Sequence, residues 1–407
     1  MCDSEIYATP DVMRLVDDLT VAYLQCRSNK RNKRSAQEFE LGWAVRIYEL
    51  AELVVSRNYK PLPSIAFLVR RPLLREIFAA AFRDRIIHFY IALRLEPLFE
   101  EVFIDDTYNC RKGRGSLYGI QRVYEMIREC SCNYTQDCYV GKFDFRGFFM
   151  SIHLPTLWQM LKVFILDKYK GGDKDILLYL TKIVVFNRPQ KNCIFHTPLH
   201  AWKRLARVKS LFFAGDDFGL PIGNLTSQIF ANFFLTVFDL TLKFLFEFYG
   251  RYVDDFTVVD REKEKILESI PLFRLVAETY HLKLHPNKVY VQHYSKGLKF
   301  IGAVIKKDRT YISDRTVRNF EDMMFEMAMI DDKEERAAEF VSRANSYLGY
   351  MIHHASYAIR RRIIEAMNKE WWKYVYVGGH FEKLVLRNEF SEKSKINCRI
   401  SNLKSYD

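Results

Sequence analysis

The chain has 407 residues, 49% of them hydrophobic, which is long enough for two or three domains and too apolar for a disordered chain. It carries 62 lysines and arginines against 50 aspartates and glutamates, and this net charge of +12 predicts an anionic partner, most often nucleic acid. Eight scattered cysteines without a CxxC pair predict a reduced, intracellular protein, and the first ten residues lack a signal-peptide pattern.

The N-terminal part of the chain predicts helices. Apolar residues recur at helical spacing from Val12 to Leu19 and from Ala44 to Ala51, on either side of the basic loop RSNKRNKRS. YKPLPSIAFLVRRP then predicts an extended segment bounded by prolines. REIFAAAFRDRIIHFYIALRLEPLFEEVF predicts one long amphipathic helix that breaks near Pro97, and YNCRKGRG predicts a basic loop rich in glycine.

The segment CYVGKFDFRGFF predicts a strand followed by a helix, with Asp144 in the apolar strand. A lone carboxylate there is costly unless it is paired or binds a cation. An ion pair with Arg146 or capping of the following helix would explain it equally well. After a weakly patterned region at about 170–215, GLPIGNLTSQIFANFFLTVFDLTLKFLF predicts a turn and a long apolar helix, whose proline and polar residues argue against a membrane span.

Two adjacent acids, Asp254 and Asp255, stand between strand-forming residues in RYVDDFTVV, which predicts a hairpin with carboxylates at its tip. A simple turn is the commoner explanation of such a pair, and a divalent cation is the other. If Asp144 lies on the same antiparallel sheet, three carboxylates would hold two Mg²⁺ ions about 3.5–4 Å apart, as in displacement at phosphorus. A basic chain with this site predicts nucleotidyl transfer.

Downstream of the hairpin, LKLHPNKVYVQHYSKGLKFIGAVIKKDRTYIS predicts several short strands. From residue 315 the pattern is mainly helical and basic, including KEWWKYVYV.

With these blocks in this order, the chain resembles a reverse transcriptase of the retroelement type from about residue 70 to 357. KFDFRGFF and RYVDDF resemble the two catalytic palm blocks, LHPNK and GLKFIG the blocks that close the palm, and NSYLGYMIHHASY the start of the thumb. In GLPIGNLTSQ, Ile222 stands where most relatives carry glutamine, and Gln228 where they carry proline. This form resembles the reverse transcriptases of diversity-generating retroelements.

The resemblance implies an α+β right-hand polymerase with fingers, an antiparallel-sheet palm and a helical thumb. The expected domains are an N-terminal helical extension (1–60), fingers (61–137), a palm (138–310, with a fingers-type insertion at about 155–215), and a helical thumb with a basic C-terminal segment (311–407). The implied activity is RNA-directed DNA synthesis that copies a template-repeat RNA into cDNA with errors opposite template adenines, in mutagenic retrohoming. The implied location is the cytoplasm of a bacterial, archaeal or phage-infected cell.

The expected ligands are template RNA, the primer or cDNA, dNTPs and two Mg²⁺ ions, for which Mn²⁺ can substitute. A small basic helical accessory protein that oligomerises is the expected protein partner, and no membrane is expected. By resemblance, Asp144 and Asp254 bridge the metals with the Phe145 carbonyl as a further ligand, while Asp255 supports the metal site or the primer end. Lys288 would protonate pyrophosphate.

The remaining expected roles concern the nucleotide and the template. Arg70 (or Arg71 in its place) and Arg75 would grip the triphosphate. Phe149 would exclude a 2′-hydroxyl, and Ile222 and Gln228 would lie beside the nascent pair. The basic loop residues expected to approach the template backbone are Arg111, Lys112 and Arg114.

Two rival interpretations are kept. One is another reverse transcriptase class, such as a retron, group II intron or phage-defence enzyme. The other is a polymerase-shaped RNA-binding protein without turnover, against which the intact Asp144, Asp254 and Asp255 argue.

Overall fold

The structure is a computed structural model that describes residues 9–28, 30–31, 33–71 and 73–390. The chain forms two compact units. The first unit comprises Met1–Gly115 and Gly141–Val291, and the second comprises Ser116–Val140 and Gln292–Asp407.

Helices and strands alternate along both units. The α-helices are α1 Pro10–Arg27, α2 Arg34–Glu40, α3 Trp43–Val55, α4 Phe82–Glu100, α5 Ser116–Cys130, α6 Phe148–Ser151, α7 Leu154–Lys168, α8 Lys174–Val185, α9 Leu225–Phe234, α10 Thr236–Leu245, α11 Lys263–Thr279, α12 Asp314–Ala328, α13 Lys333–Met351 and α14 Tyr357–Glu365. The strands are β1 Ser64–Val69, β2 Arg75–Ala79, β3 Tyr139–Asp144, β4 Cys193–Phe195, β5 Phe248–Tyr252, β6 Asp255–Asp260, β7 Tyr290–His293, β8 Leu298–Phe300, β9 Ala303–Ile305, β10 Thr310–Ile312, β11 Val375–Gly378 and β12 Lys383–Leu386.

One part of the first unit is a small sheet in the order β2-β1-β4, with β1 and β2 antiparallel. The prediction that REIFA belongs to a helix is wrong. Residues of this segment alternate instead, with Glu76 and Phe78 buried on one side of β2, and they pair with β1. Pairing across the sheet therefore decides the conformation here.

Helix α4 follows and runs through Pro97 to Glu100, so the predicted break near Pro97 is also wrong. Pro97 lies in the last turn, so the hydrogen bond that it removes, to the carbonyl of Leu93, affects only the end of the helix. The helix is buried on most sides rather than amphipathic, since Ile86, Ile91 and Ala92, which point in three different directions around its axis, are all buried.

The central sheet has the strand order β5-β6-β3-β7. Strands β5 and β6 form the antiparallel hairpin that RYVDDF predicts, with Tyr252 opposite Asp255. Aromatic rings fill the core behind it: Phe143 stacks on Phe256 at a centroid distance of 5.0 Å. This packing fixes the strand ends that carry the acids.

The stretch Leu225–Leu245 has a mean hydropathy of 1.3 and is long and apolar enough, by length and composition alone, to cross a membrane. In the fold it is α9 and α10, with 61% of the apolar window buried within the protein. Such burial is what a core helix of a globular domain also shows.

The second unit contains α5, a sheet in the order β10-β9-β8, helices α12 to α14 and the hairpin of β11 and β12. Its core includes Phe320, Phe340, Leu348 and Trp371. The helical prediction for KEWWKYVYV is wrong beyond its first half, because a short 3₁₀ helix at Lys369–Lys373 leads directly into β11, which pairs with β12.

Candidate active site

Three acids lie at the ends of neighbouring strands. Asp144 is the last residue of β3, Asp255 is the first of β6, and Asp254 occupies the turn before it. The backbone N–H of Phe145 donates to the carbonyl of Asp254 at 3.2 Å, which joins the two chain segments. The carboxylates of Asp144 and Asp255 are close enough to share a hydrogen bond.

Burial and neighbouring negative charge both raise the pKa values of Asp254 and Asp255. Removal from water, followed by the charges of Asp144 and Asp255, raises the pKa of Asp254 to about 6. Removal from water also raises the pKa of Asp255; the charge of Lys142 opposes this rise and that of Asp144 adds to it. The site therefore carries more negative charge than its surroundings neutralise.

Two lysines contact the acids. The Lys288 ammonium lies 2.8 Å from Asp144 Oδ2, and Lys142 lies 3.5 Å from Asp255 Oδ2. LHPNK reaches the site because the His285 N–H donates to the Asp144 carbonyl at 2.7 Å. The sequence analysis missed Lys142, although its position two residues before Asp144 in a strand places both on one face.

The backbone of the acidic turn is strained. Val253 has a φ of +57°, and among the described residues only Val253 and Ile301 are β-branched with a positive φ. The N–H of Val253 donates to Asn109 Oδ1 at 2.9 Å, and its carbonyl accepts from Arg251 Nη1 at 2.9 Å. The sequence analysis singled out neither Asn109 nor Arg251.

The predicted nucleotide-gripping arginines lie at the β1–β2 hairpin. Arg70 is exposed one residue beyond β1, and Arg75 is exposed at the start of β2, opposite Val69. Arg71 is half-buried, which favours Arg70 for an external phosphate. The charge of Arg75 reaches Tyr252, where it opposes the rise that burial causes in the pKa of that phenol.

Phe149 and Ile222 are brought together. Both are partly buried and pack on one cluster that includes Ala66, Phe78 and Leu211. The Ile222 carbonyl accepts from the Phe78 N–H at 2.8 Å, so its turn is attached to β2. Gln228 is exposed near the start of α9, where its Oε1 accepts from the Cys110 thiol at 3.3 Å.

Comparison with known proteins decides the family. A family model described as reverse transcriptase (RNA-dependent DNA polymerase) matches residues 74–305, which is more than half of the chain and includes all three acids. The chain belongs to the reverse transcriptase family. This membership confirms the predicted α+β polymerase-type fold.

Individual relatives of this reverse transcriptase are distant. Protein YkfC of Escherichia coli is 22% identical over 315 residues, covering 67% of this chain and 75% of that protein. Among solved structures, telomerase from Candida albicans in complex with a telomeric RNA fragment is 10% identical and covers 78% of this chain, with a TM-score of 0.45. Apo telomerase from Candida tropicalis is 12% identical over 65% of this chain, with a TM-score of 0.43. The chain spans 57% and 59% of these two telomerase chains.

The basic loop of the reverse transcriptase is more structural than its sequence predicts. Arg111 is 8% exposed; its guanidinium contacts Glu100 at 2.8 Å and the carbonyl of Ile104 at 2.6 Å. The template role predicted for Arg111 is therefore corrected to a role inside the fold. Arg114 pairs with Asp105 at 2.9 Å, whereas Lys112 is exposed.

The donor set of the acids suits a hard cation. Asp144, Asp254 and Asp255 offer oxygen ligands alone, which Mg²⁺ prefers, and burial together with the charges of Asp144 and Asp255 raises the pKa of Asp254. Within the described part of the chain, no three His, Cys, Asp or Glu side chains are already arranged as a metal-binding group. In this conformation, lysines contact two of the acids.

Proposed function

We propose that this reverse transcriptase is an active RNA-directed DNA polymerase that extends a primer with dNTPs. One observation carries the proposal: three carboxylates converge at the ends of β3 and β6, with the pKa of Asp254 raised to about 6. Lysines contact Asp144 and Asp255, yet burial and the neighbouring carboxylates still raise the pKa of Asp254, so a bound cation would favour its ionised form.

Each side chain near the acids has a role in the proposed reaction. Asp144 and Asp254, with the Phe145 carbonyl, would hold Mg²⁺, which when bound lowers the pKa of the primer hydroxyl and neutralises charge on the departing pyrophosphate. Lys288 lies 2.8 Å from Asp144 and is 55% exposed, so it can turn from that carboxylate towards a leaving group. Lys142 balances the charge of Asp255.

Nucleotide selection would depend on the cluster shared by Phe149 and Ile222. A ring at position 149 leaves no room for a 2′-hydroxyl if the incoming sugar stacks on it. Arg70 and Arg75, both exposed on the β1–β2 hairpin, would bind the triphosphate through planar guanidinium groups.

The test of the polymerase is primer extension on a primed RNA with dNTPs, with Mg²⁺ and then with excess chelator. Asp144→Asn is the matched inactive variant. Extension that requires Mg²⁺ and is lost in the variant supports the proposal. RNA binding without extension by the wild type would favour the rival interpretation, a polymerase-shaped RNA-binding protein.

Two adjacent basic residues, Arg111 and Lys112, should differ in their effects on template binding and on stability. Lys112→Ala should weaken RNA affinity and lower the slope of affinity against salt concentration by about one, because one phosphate contact is lost. Arg111→Ala should instead lower the thermal unfolding midpoint, because it leaves Glu100 and two backbone carbonyls without their donor. Filter binding at several salt concentrations and thermal melts check the pair. Equal loss of affinity in both variants, at equal stability, would contradict the assignment.

We also propose the finer function, error-prone synthesis opposite template adenine as in diversity-generating retroelements, with a small basic accessory protein as partner. Ile222 and Gln228 support it. Isoleucine has no hydrogen-bonding group, and losing one discriminating polar contact is worth about 1–3 kcal/mol, or about ten- to a hundredfold in errors.

The fidelity test compares cDNA made from one RNA by the wild type and by Ile222→Asn. Fewer mismatches opposite adenine in the variant are the expected result, because asparagine restores a polar contact. Ile222→Val is the control, since it keeps an apolar β-branched side chain. An unchanged adenine error fraction at reduced yield would leave Ile222 as a packing residue and would favour a retron-, group II- or phage-defence-type enzyme.

A further inference from the structure

The turn between β5 and β6 combines strain with an unusually complete set of supports. Val253 has a φ of +57°, a region that β-branched residues avoid, and the next residue is Asp254. A peptide in this conformation persists only where surrounding groups over-determine it. Two side chains, Asn109 and Arg251, supply this support.

Asn109 holds the peptide group between Tyr252 and Val253. Its side-chain Oδ1 accepts the Val253 N–H at 2.9 Å, and its own carbonyl accepts from Asn232 Nδ2 at 3.3 Å. Asn109 is 5% exposed and Asn232 is 1% exposed, so water does not compete for these bonds.

Arg251 holds the peptide group between Val253 and Asp254. Its Nη1 donates to the Val253 carbonyl at 2.9 Å, while its Nε and Nη2 contact the two Asp239 oxygens at 2.6 Å each. Its Nη2 also donates to Asn232 Oδ1 at 3.0 Å, which joins it to the Asn109 side of the network. Arg251 is fully buried, so the guanidinium cannot rotate away without leaving Asp239 unpaired.

We propose that Asn109 and Arg251 are positioning residues of the polymerase: they fix the two peptide groups on either side of Val253 and thereby set the position of the Asp254 carboxylate. The inference rests on the proposed polymerase function. A displacement of about 1 Å at a reacting centre can lower a rate about a hundredfold, so a shift of this turn should appear in the rate of chemistry rather than in substrate affinity.

Asn109 is the residue to change first, because substitution of Arg251 leaves a buried charge on Asp239 and threatens folding. Asn109→Ala removes the acceptor of the Val253 N–H. We expect kcat to fall about 10- to 100-fold, with the KM for dNTP changed less than about twofold.

Relief of the strain provides the decisive arm. Glycine adopts a positive φ without steric cost. A turn that carries Val253→Gly should therefore depend much less on the hydrogen bonds from Asn109 and Arg251. In that background, Asn109→Ala should lower kcat by less than about threefold, whereas in the wild-type background it lowers kcat at least about tenfold. A residue that served only to stabilise the fold would lower the thermal midpoint in both backgrounds and leave kcat per folded molecule unchanged.

Asn345 supplies the matched control in the second unit. Its side chain bonds both the N–H and the carbonyl of Leu384, at 2.7 and 2.8 Å, and is thus another asparagine that fixes a peptide. Asn345→Ala should lower the thermal midpoint while leaving kcat per folded molecule unchanged. If the wild type extends primers and Asn109→Ala keeps its kcat, or loses it equally in both Val253 backgrounds, the inference is overturned and the proposed function stands. If the wild type extends no primer, the proposed function fails and the inference fails with it.

Discussion

Two turns of the first unit carry the residues proposed for metal binding and nucleotide selection, and they reach a positive φ by opposite means. In the turn after Pro221, the residue with positive φ is Gly223, at +120°. In the hairpin turn it is Val253, at +57°. Glycine adopts its conformation without steric cost, whereas valine needs Asn109 and Arg251 to hold it.

The supports of the two turns differ in the same way. The turn that carries Ile222 is bound mainly to the neighbouring strand: the Ile222 carbonyl accepts from Phe78 N–H, and Asn224 Oδ1 accepts from Ala80 N–H at 3.1 Å. The hairpin turn depends instead on two side chains, Asn109 from a segment distant in sequence and Arg251 from the adjoining strand β5. We infer that the turn with Ile222 keeps its conformation when side chains in other parts of the protein are changed. The hairpin turn with Val253 should instead be sensitive to substitution of the side chains that bond it.

The largest expected difference between the turns is in catalysis. Asp254→Asn should lower kcat on the order of 10³-fold, because a proposed metal ligand loses its charge. Ile222→Asn should change kcat far less, because no charge develops on its side chain during the reaction. Single-turnover primer extension with Mg²⁺ measures both. Near-wild-type extension by Asp254→Asn would mean that the acidic hairpin is an ordinary turn.

Backbone strain gives the next effect in size. Gly223→Ala should destabilise the protein by about 1–3 kcal/mol, because alanine is strained at this φ. An added Cβ would also lie 2.7 Å from Ile77 Cγ2. Gly349→Ala is the control, since its Cβ would meet nothing within 4 Å and it lies in the exposed face of α13. Urea denaturation of both variants checks this, and equal stability of the two would refute the role given to Gly223.

The local sequence predicts those parts of the site that its own pattern specifies. RYVDDF predicts the hairpin, because strand-forming residues flank a two-residue tip, and KFDF predicts a strand that ends in an acid. The strand β2 was missed because REIFA has a helical composition and becomes a strand only by pairing with β1. Asn109 and the buried position of Arg111 were missed for a similar reason. Their partners, Val253 and Glu100, are determined by tertiary packing, and a single sequence carries no periodic signal for it.

The smallest expected effect is on the pH dependence of stability, and it belongs to the hairpin alone. The pKa of Asp254 is raised to about 6 in the folded protein, from an ordinary value of 3.8. Between these values the folded state binds more protons than the unfolded state, so the contribution of Asp254 to stability falls as pH rises from about 4 to 6. The expected loss is at most about 1.4 kcal/mol per pH unit in metal-free buffer. In Asp254→Asn this part of the pH dependence should disappear, because the side chain no longer ionises, whereas Ile222→Val should keep it.

Urea midpoints between pH 4.5 and 7.5 measure the slope, and Mg²⁺ should restore stability at the upper end, where the acids are ionised. An identical slope of stability against pH in wild type and Asp254→Asn would show that ionisation of Asp254 does not destabilise the hairpin turn. The proposed electrostatic difference between this turn and the turn with Gly223 would then be wrong.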